Sequence, residues 1–307
     1  MSVHFHELLE AIFSIIFLIG IGYVLKRFQL VQEVSMAGMN KLCFYIFFPV
    51  KIAMSFYNTD MEGLLGPKFL VYILAMLFLQ MALTSIFTSY FVKDAGRKII
   101  EGHAMFRGNF IIMSFPILQS LCGDPGVAMA GAITGISQFF YNFYALRLFE
   151  GYTKKYENSL RIFTKILKTP LILGVFTGIF LYITKINISI LESPMRSLGS
   201  IASPIALLTL GYSLDFQVNK DYLFSILRVS FMKLIFFPVI AFGIGIPFHF
   251  QEIQNIVSLV LFGSPTAVTT YVFARSYNIE PKLAGYLVFI TTLLYALTIP
   301  ILLKIFI

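Results

Sequence analysis

Charge is scarce in this sequence. Only 12% of its 307 residues are Asp, Glu, Lys or Arg, against about 25% in an ordinary soluble domain. With 58% of residues apolar and a mean hydropathy of +0.84, so little charge cannot cover a water-facing body of this size. The shortage excludes a cytosolic enzyme and a disordered regulator. Cysteine is nearly missing too. Cys43 and Cys122 both fall in apolar stretches, which excludes a disulfide scaffold or a CxxC site and reads as two buried thiols. The opening MSVHFHELLE holds no Lys or Arg. Without a basic start or an A-x-A-like cut site, the first apolar run reads as a retained span rather than a secretory signal. Catalytic signatures are absent as well. His4, His6, His103 and His249 sit near the ends of apolar stretches, and there is no HExxH, GxSxG, Walker A or dinucleotide fingerprint. The expectation is a protein that is not an enzyme, with no metal site and no cofactor. No Asp or Glu lies at mid-span, so the choice of coupling ion, H+ or Na+, stays open.

The sequence does hold apolar runs of membrane length. A helix needs about 20 apolar residues to cross the hydrocarbon core, and ten stretches qualify: 7–26, 35–57, 68–92, 98–122, 126–149, 162–184, 194–217, 222–247, 253–275 and 281–306. Breakers separate them, among them Gly66-Pro67, Gly123-Asp124-Pro125-Gly126, Glu192-Ser193-Pro194 and Glu280-Pro281. The net charge of +8 reads as membrane topology and not as a nucleic-acid surface. The odd-numbered loops carry 14 Lys and Arg and the other side 4, which puts the odd loops in the cytoplasm and both termini outside. The polar stretch 150–161 is read as a cytoplasmic linker between two five-helix halves, 1–149 and 162–307. An odd number of crossings per half inverts the second against the first, a transporter plan.

Two spans differ from the rest. The fourth carries Arg107-Gly108-Asn109 and then Ser114-Phe115-Pro116; the ninth carries Gly263-Ser264-Pro265-Thr266. Proline removes a backbone donor and clashes with the turn before it. A helix opened in this way inside lipid is tolerated only where protein or a water-filled cavity surrounds it, and the half-helix beginning there points its positive end at the gap. Corresponding positions in the two halves make Ser114, Pro116, Ser264, Pro265 and Thr266 candidates for an anion site. Pro170, Pro238, Pro247 and Pro300 read as ordinary kinks.

Cations inside spans cost about 2.5–3.5 kcal/mol each at the bilayer centre on insertion scales, so each needs a reason. Arg107 either grips a substrate carboxylate bidentately or makes a structural pair. Lys51 lies close enough to a span end to snorkel, Lys233 is mid-span before Phe236-Phe237-Pro238, and Lys41 and Arg228 read as anchors. Thr134, Ser137, Gln138, Tyr141 and Asn142 recur at near-helical spacing, either to line a cavity or to bond between helices. Lys51, Ser55, Gln138, Asn142 and Lys233 are the cavity-lining candidates.

These residues, in order, resemble the auxin efflux carrier family, which includes PIN-like and malate-permease-like proteins of the bile acid/sodium symporter superfamily. The similarity covers nearly the whole chain. It rests on Gly38-x-Asn40-Lys41 followed by Phe48-Pro49, and on Asn109 followed by Pro116-Ile117-Leu118 and Gly123-Asp124. It rests also on Pro204-x-Ala206-Leu207-x-x-Leu210-Gly211-x-x-Leu214, and on Ser264-Pro265-Thr266-Ala267 with Ala274, Tyr277-Asn278 and Leu283-Ala284. Ser114 departs from the glycine many members carry there. The resemblance implies an all-α integral membrane protein of ten transmembrane helices in a five-plus-five inverted repeat, with broken helices 4 and 9 crossing near Pro116 and Pro265. It implies a scaffold of helices 1, 2, 6 and 7, a transport unit of helices 3–5 and 8–10, and Asn109 on a substrate carboxylate. The implied protein is an elevator-type secondary carrier in a plasma (bacterial inner) membrane. Its cargo is a small organic anion, auxin-like or malate-like, its setting is the lipid bilayer, and its assembly is a homodimer. A sodium-coupled bile-acid-like symporter and a non-transporting membrane receptor remain as alternatives.

Overall fold

The computed structural model describes residues 5–57, 59, 63–153, 164, 167–213 and 220–307. Among them the chain is helical almost throughout, and the pairing of extended backbone is one isolated antiparallel bridge, Gly108 to Thr266. The helices are α1 (Phe5–Arg27), α2 (Glu33–Leu42), α3 (Phe48–Tyr57), α4 (Pro67–Phe91), α5 (Ala95–Phe106), α6 (Phe115–Thr153), α7 (Pro170–Thr184), α8 (Ser189–Ser200) and α9 (Ala202–Ser213). They continue with α10 (Leu223–Phe231), α11 (Phe237–Gly245), α12 (Glu252–Phe262), α13 (Thr269–Tyr277) and α14 (Pro281–Phe306). Among the described residues, four helical runs are long and apolar enough on their own to cross a membrane: Pro67–Phe91, Phe110–Thr153, Lys220–Phe248 and Pro281–Phe306. Of the segment read as a linker, 150–153 continues α6, and 154–161 lies outside the described residues.

Interruptions within the spans follow the sequence. Three π-helical turns, Cys43–Phe47, Phe110–Ser114 and Met232–Phe236, each end immediately before a Phe-Pro pair. In each, the N–H of that Phe reaches back five residues, to Cys43, Phe110 and Met232. The physical cause is the proline: its ring would strike the carbonyl four residues earlier, at Tyr45, Ile112 and Leu234, and widening the turn makes room. The three phenylalanines are buried, and Phe48 meets Phe115 edge-on at 6.1 Å between ring centroids. The other prolines differ from the kinks expected of them. Pro170 opens α7 at its first position, where its missing N–H costs nothing, and Pro247 sits in a 3-10 turn, whereas Pro300 lies inside a continuing helix. Gly123, with φ of 60°, bends α6 sharply after its first turns.

The helices pack as two groups. In one, α3 lies on α7 and α8, and α1 on α9. The α1–α9 crossing is so close that a side chain at Gly22 would run into the Leu208 carbonyl, and one at Gly211 into the Ile19 carbonyl. Small residues let backbones approach where lipid gives no hydrophobic drive to associate. In the other group, α4 packs on α5, α12 on α6 and α11, and α14 on α10 and α13. Contacts of α6 with α1 and α3 join the two. Large apolar side chains such as Phe13, Phe17, Val71, Ile190 and Phe224 stand exposed on the outside, an arrangement that suits a lipid surround and not water.

Candidate functional site

Two helices stop in the interior and their loose ends cross. The last helical bond of α5 runs from the Arg107 N–H to the His103 carbonyl (3.0 Å). The backbone then leaves the helix at Arg107 and Asn109 before the π turn begins at Phe110. On the other side α12 ends at Phe262 and α13 begins at Thr269. The two loose segments bond to each other: Asn109 N–H donates to the Pro265 carbonyl (2.8 Å) and Ala267 N–H to the Arg107 carbonyl (3.0 Å). Freed backbone groups in a lipid-excluded interior need such partners. Thr266 is held on both sides, its N–H donating to Thr291 Oγ1 (3.0 Å) and its hydroxyl to the Ala104 carbonyl (3.2 Å). Gly108 makes the crossing sterically feasible, because a Cβ there would overlap Ser264 Oγ and the Phe110 ring.

The unwinding therefore falls at Arg107–Asn109, seven residues ahead of Pro116 at its nearer edge, and not at the proline itself. Pro116 shapes the π turn that follows, whereas Pro265 lies within its break and supplies a carbonyl to the crossing. Ser114 is in that π turn with its hydroxyl donating to the Val260 carbonyl (3.2 Å), which ties the turn to α12 rather than facing the cavity. Ser264 Oγ is buried without a partner.

Beside the crossing lies a cavity of about 50 Å³ lined by Arg107, Gly108, Asn109, Thr134, Ser137, Gln138, Tyr141 and Thr269, with apolar walls from Phe44, Phe110, Ile112 and Val268. The polar stripe of α6 thus faces a cavity through Thr134, Ser137, Gln138 and Tyr141. Asn142 stands behind it, donating to Gln138 Oε1 at 3.2 Å. The same oxygen accepts from Arg107 Nη2 at 2.5 Å, and the guanidinium lies 5.9 Å from the Tyr141 ring centroid. Tyr141 in turn donates to Gln80 Oε1 (2.6 Å), which anchors the wall to α4. Arg107 and Asn109 are 4% and 6% exposed, yet Arg107 Nη1 and Asn109 Nδ2 have no partner. Both orphans are donors, and an acceptor-only group such as a carboxylate is what they lack.

Two vestibules approach from opposite ends of the α2–α3 span. Met36, Asn40 and Phe44 line one of about 450 Å³, together with Lys26, Glu33 and Arg275; it shares Phe44, Ile112 and Val268 with the crossing cavity. Lys51, Met54 and Ser55 line the other, of about 340 Å³, with Gln119, Asp124 and Arg196. Lys51 and Ser55 are thus brought together, but away from the crossing, with Lys51 Nζ donating to Ser203 Oγ (3.2 Å). Lys233 is fully buried in the π turn between α10 and α11 and does not line the crossing cavity.

Several groups escaped the sequence reading. Thr291 is one of two threonines in an apolar run, with nothing to single it out. Arg228 is no membrane anchor: it makes a bidentate bridge to the buried Glu101 (2.7 and 3.0 Å), fastening α10 to α5. A carboxylate and an arginine 127 positions apart carry no local signal of pairing.

Residues 7–303 match the family described as membrane transport protein. The chain belongs to that family, the auxin efflux carrier-like membrane transporters. Similar proteins include an uncharacterized transporter of Methanothermobacter thermautotrophicus, 22% identical over 297 residues, covering 95% of this chain and 96% of the relative. Another is an uncharacterized transporter of Methanocaldococcus jannaschii, 22% identical over 301 residues, covering 92% and 94%. A multi-pass membrane transporter is thereby shown, in agreement with the absence of enzyme motifs.

Proposed function

We propose that this transporter is a secondary carrier of small organic anions across the plasma membrane, with auxin-like monocarboxylates or malate-like dicarboxylates as the cargo class. The observation that carries the reading is the pair of buried, unpartnered donors Arg107 Nη1 and Asn109 Nδ2 on residues lining one cavity at the crossing. A carboxylate has about four lone-pair positions and can accept from both, and its charge offsets that of a guanidinium that bonds Gln138 and stands beside the Tyr141 ring. Thr134 and Thr269 hydroxyls, also unpartnered, suit a further polar atom of the cargo.

The rest follows the family plan: ten crossings, a five-plus-five inverted repeat of 1–149 and 162–307, odd loops in the cytoplasm, and a homodimer. The helix group of α1–α3 and α7–α9 serves as scaffold. The group of α4–α6 and α10–α14, which carries every hydrogen-bonding residue of the crossing, slides against it as an elevator. A larger vestibule opening onto the crossing cavity and a separate one toward the other end of α3 suit one stage of alternating access.

The test begins with a thermal-shift screen of mono- and dicarboxylates on purified protein, followed by counterflow of each hit in proteoliposomes. Wild type is expected to accumulate label against unlabelled cargo. Asn109→Ala and Pro265→Ala are expected to abolish this while melting cooperatively. Normal flux in both variants would overturn the site. Hits that shift melting but never exchange would make the protein a receptor. Imposing sodium and proton gradients separately identifies the coupling ion and separates this carrier from a sodium-coupled symporter.

A further inference from the structure

Histidine is a costly choice at position 103. The side chain is fully buried on α5 and walled by other rings. It stacks on Phe273 at 5.3 Å between centroids, and Phe106 and Phe149 meet it edge-on at 5.1 and 5.5 Å. Its Nε2 is buried there without a partner. A phenylalanine would suit such walls and strand no polar atom. What histidine adds is Nδ1, which shares a hydrogen bond of 2.9 Å with Thr270 Oγ1 on α13.

That bond closes a circuit around the crossing. Arg107 N–H donates to the His103 carbonyl (3.0 Å), Ala267 N–H to the Arg107 carbonyl (3.0 Å) and Thr270 N–H to the Ala267 carbonyl (2.9 Å). The two side chains complete the path from Thr270 back to His103. The bonds that Asn109, Arg107 and Ala104 make across the crossing all end on the loose segment, at Pro265, Ala267 and Thr266. Thr270 lies in α13 itself. Its bond to His103 therefore fixes how that half-helix is rotated as it leaves the crossing, which the other three do not. Adjacent side chains on a helix point about 100° apart. Thr270 turns to His103, while Thr269 lines the crossing cavity, its hydroxyl buried and unpartnered.

We infer that His103 is a positioning residue for cargo binding: through Thr270 it holds α13 in the rotation that presents Thr269 to the cavity. Neither His103 nor Thr270 lines that cavity, so neither touches the cargo. The inference rests on the anion-carrier reading above and adds to it the part that aims Thr269. If His103 acts in this way, its worth to binding depends on Thr269 being there to aim. A role in the stability of the fold at large would be independent of Thr269.

The probes are malate and indole-3-acetate, with binding measured by calorimetry on purified protein that melts cooperatively. His103→Phe keeps a ring and deletes the bond, and Thr270→Val deletes it from the other side with the shape kept. His103→Asn gives up the ring but carries a hydrogen-bonding atom where Nδ1 lies. His103→Phe and Thr270→Val are expected to bind the preferred acid about three- to tenfold more weakly, the worth of one buried hydrogen bond. His103→Asn is expected to bind more tightly than either, although it melts lower than His103→Phe. In a Thr269→Val background, which has already lost the group being aimed, His103→Phe and Thr270→Val should weaken binding no further. Amide hydrogen exchange gives a reading without ligand: the peptide 267–271 should exchange faster in His103→Phe and Thr270→Val than in wild type. Wild-type affinity in Thr270→Val, equal loss with and without Thr269, or unchanged exchange overturns the inference while leaving the anion site standing. Should His103→Phe fail to fold, Thr270→Val decides alone. Wild type that binds neither acid sinks the carrier reading, and this inference with it.

Discussion

Gly108 shows how much of the site rests on the absence of a side chain. Its Cβ position is occupied by Ser264 Oγ and the Phe110 ring, and the two backbone bonds of the crossing flank it. Gly108→Ala is expected to push the two segments apart, lowering stability by about 1–3 kcal/mol, the usual cost of overpacking, and removing transport. The double variant with Ser264→Ala should recover part of the melting temperature, because the hydroxyl is the half of the obstruction that can be deleted. A thermal melt of the single and double variants decides it, and no recovery would mean that Phe110 alone sets the limit. Thr291 is the second pressure point. Thr291→Val keeps the shape but leaves the Thr266 N–H without its acceptor. The expected loss is about 1–3 kcal/mol, the desolvation penalty of one buried donor, again read from the melting curve. A variant that melts like wild type would show that the N–H finds another partner.

At the level of the element, the Phe-Pro pairs organise three spans, and their effect was only half legible in the sequence. Proline at 49, 116 and 238 announces an irregular turn, but whether the helix kinks, breaks or widens depends on what fills the space, and here Phe48, Phe115 and Phe237 are each fully buried. Pro116 marked the right span while the break itself fell at Arg107–Asn109, because the opening is fixed by the partner strand at Pro265 and Ala267, more than 150 positions away. The stripe of polar residues on α6 was readable from its spacing. The bonds of Thr291 and the pairing of Glu101 with Arg228 were not, since each joins distant segments without a repeating pattern. Pro116→Ala restores an N–H that can reach the Ile112 carbonyl and lets the π turn tighten to α-helical winding. That removes one residue of slack and turns Arg107–Asn109 by about 100° relative to α6, one residue's worth of a 3.6-residue turn. The expected result is unchanged or higher melting temperature with transport reduced at least about tenfold. Wild-type flux in a stable Pro116→Ala variant would show that the π turn has no part in placing Arg107 and Asn109.

At the scale of the whole molecule, the elevator reading requires the two helix groups to part and rejoin, and among the described residues an ionic contact spans them at the rim of the smaller vestibule. Arg196 on α8 reaches Asp124 on α6 at 3.4 Å and Glu192 on its own helix at 3.0 Å, while Gln119 steadies Asp124 at 3.2 Å. Arg196 is 47% exposed, so the bridge is worth no more than about 1 kcal/mol and can bias the position of the mobile group only about fivefold. Breaking it with Asp124→Asn should therefore change transport modestly. Tying the same two positions together is a different matter, because a covalent link holds the groups in one arrangement whatever the energy of the native contact. In a background of Cys43→Ala and Cys122→Ala, the pair Asp124→Cys and Arg196→Cys is expected to be joined by a short bifunctional thiol-reactive reagent and to lose uptake, whereas either single cysteine treated alike should keep it. A cleavable version of the reagent should return uptake on reduction. Full transport by the cross-linked protein would mean that α6 and α8 never separate, and the cargo would then have to pass by local opening around a crossing that stays where it is.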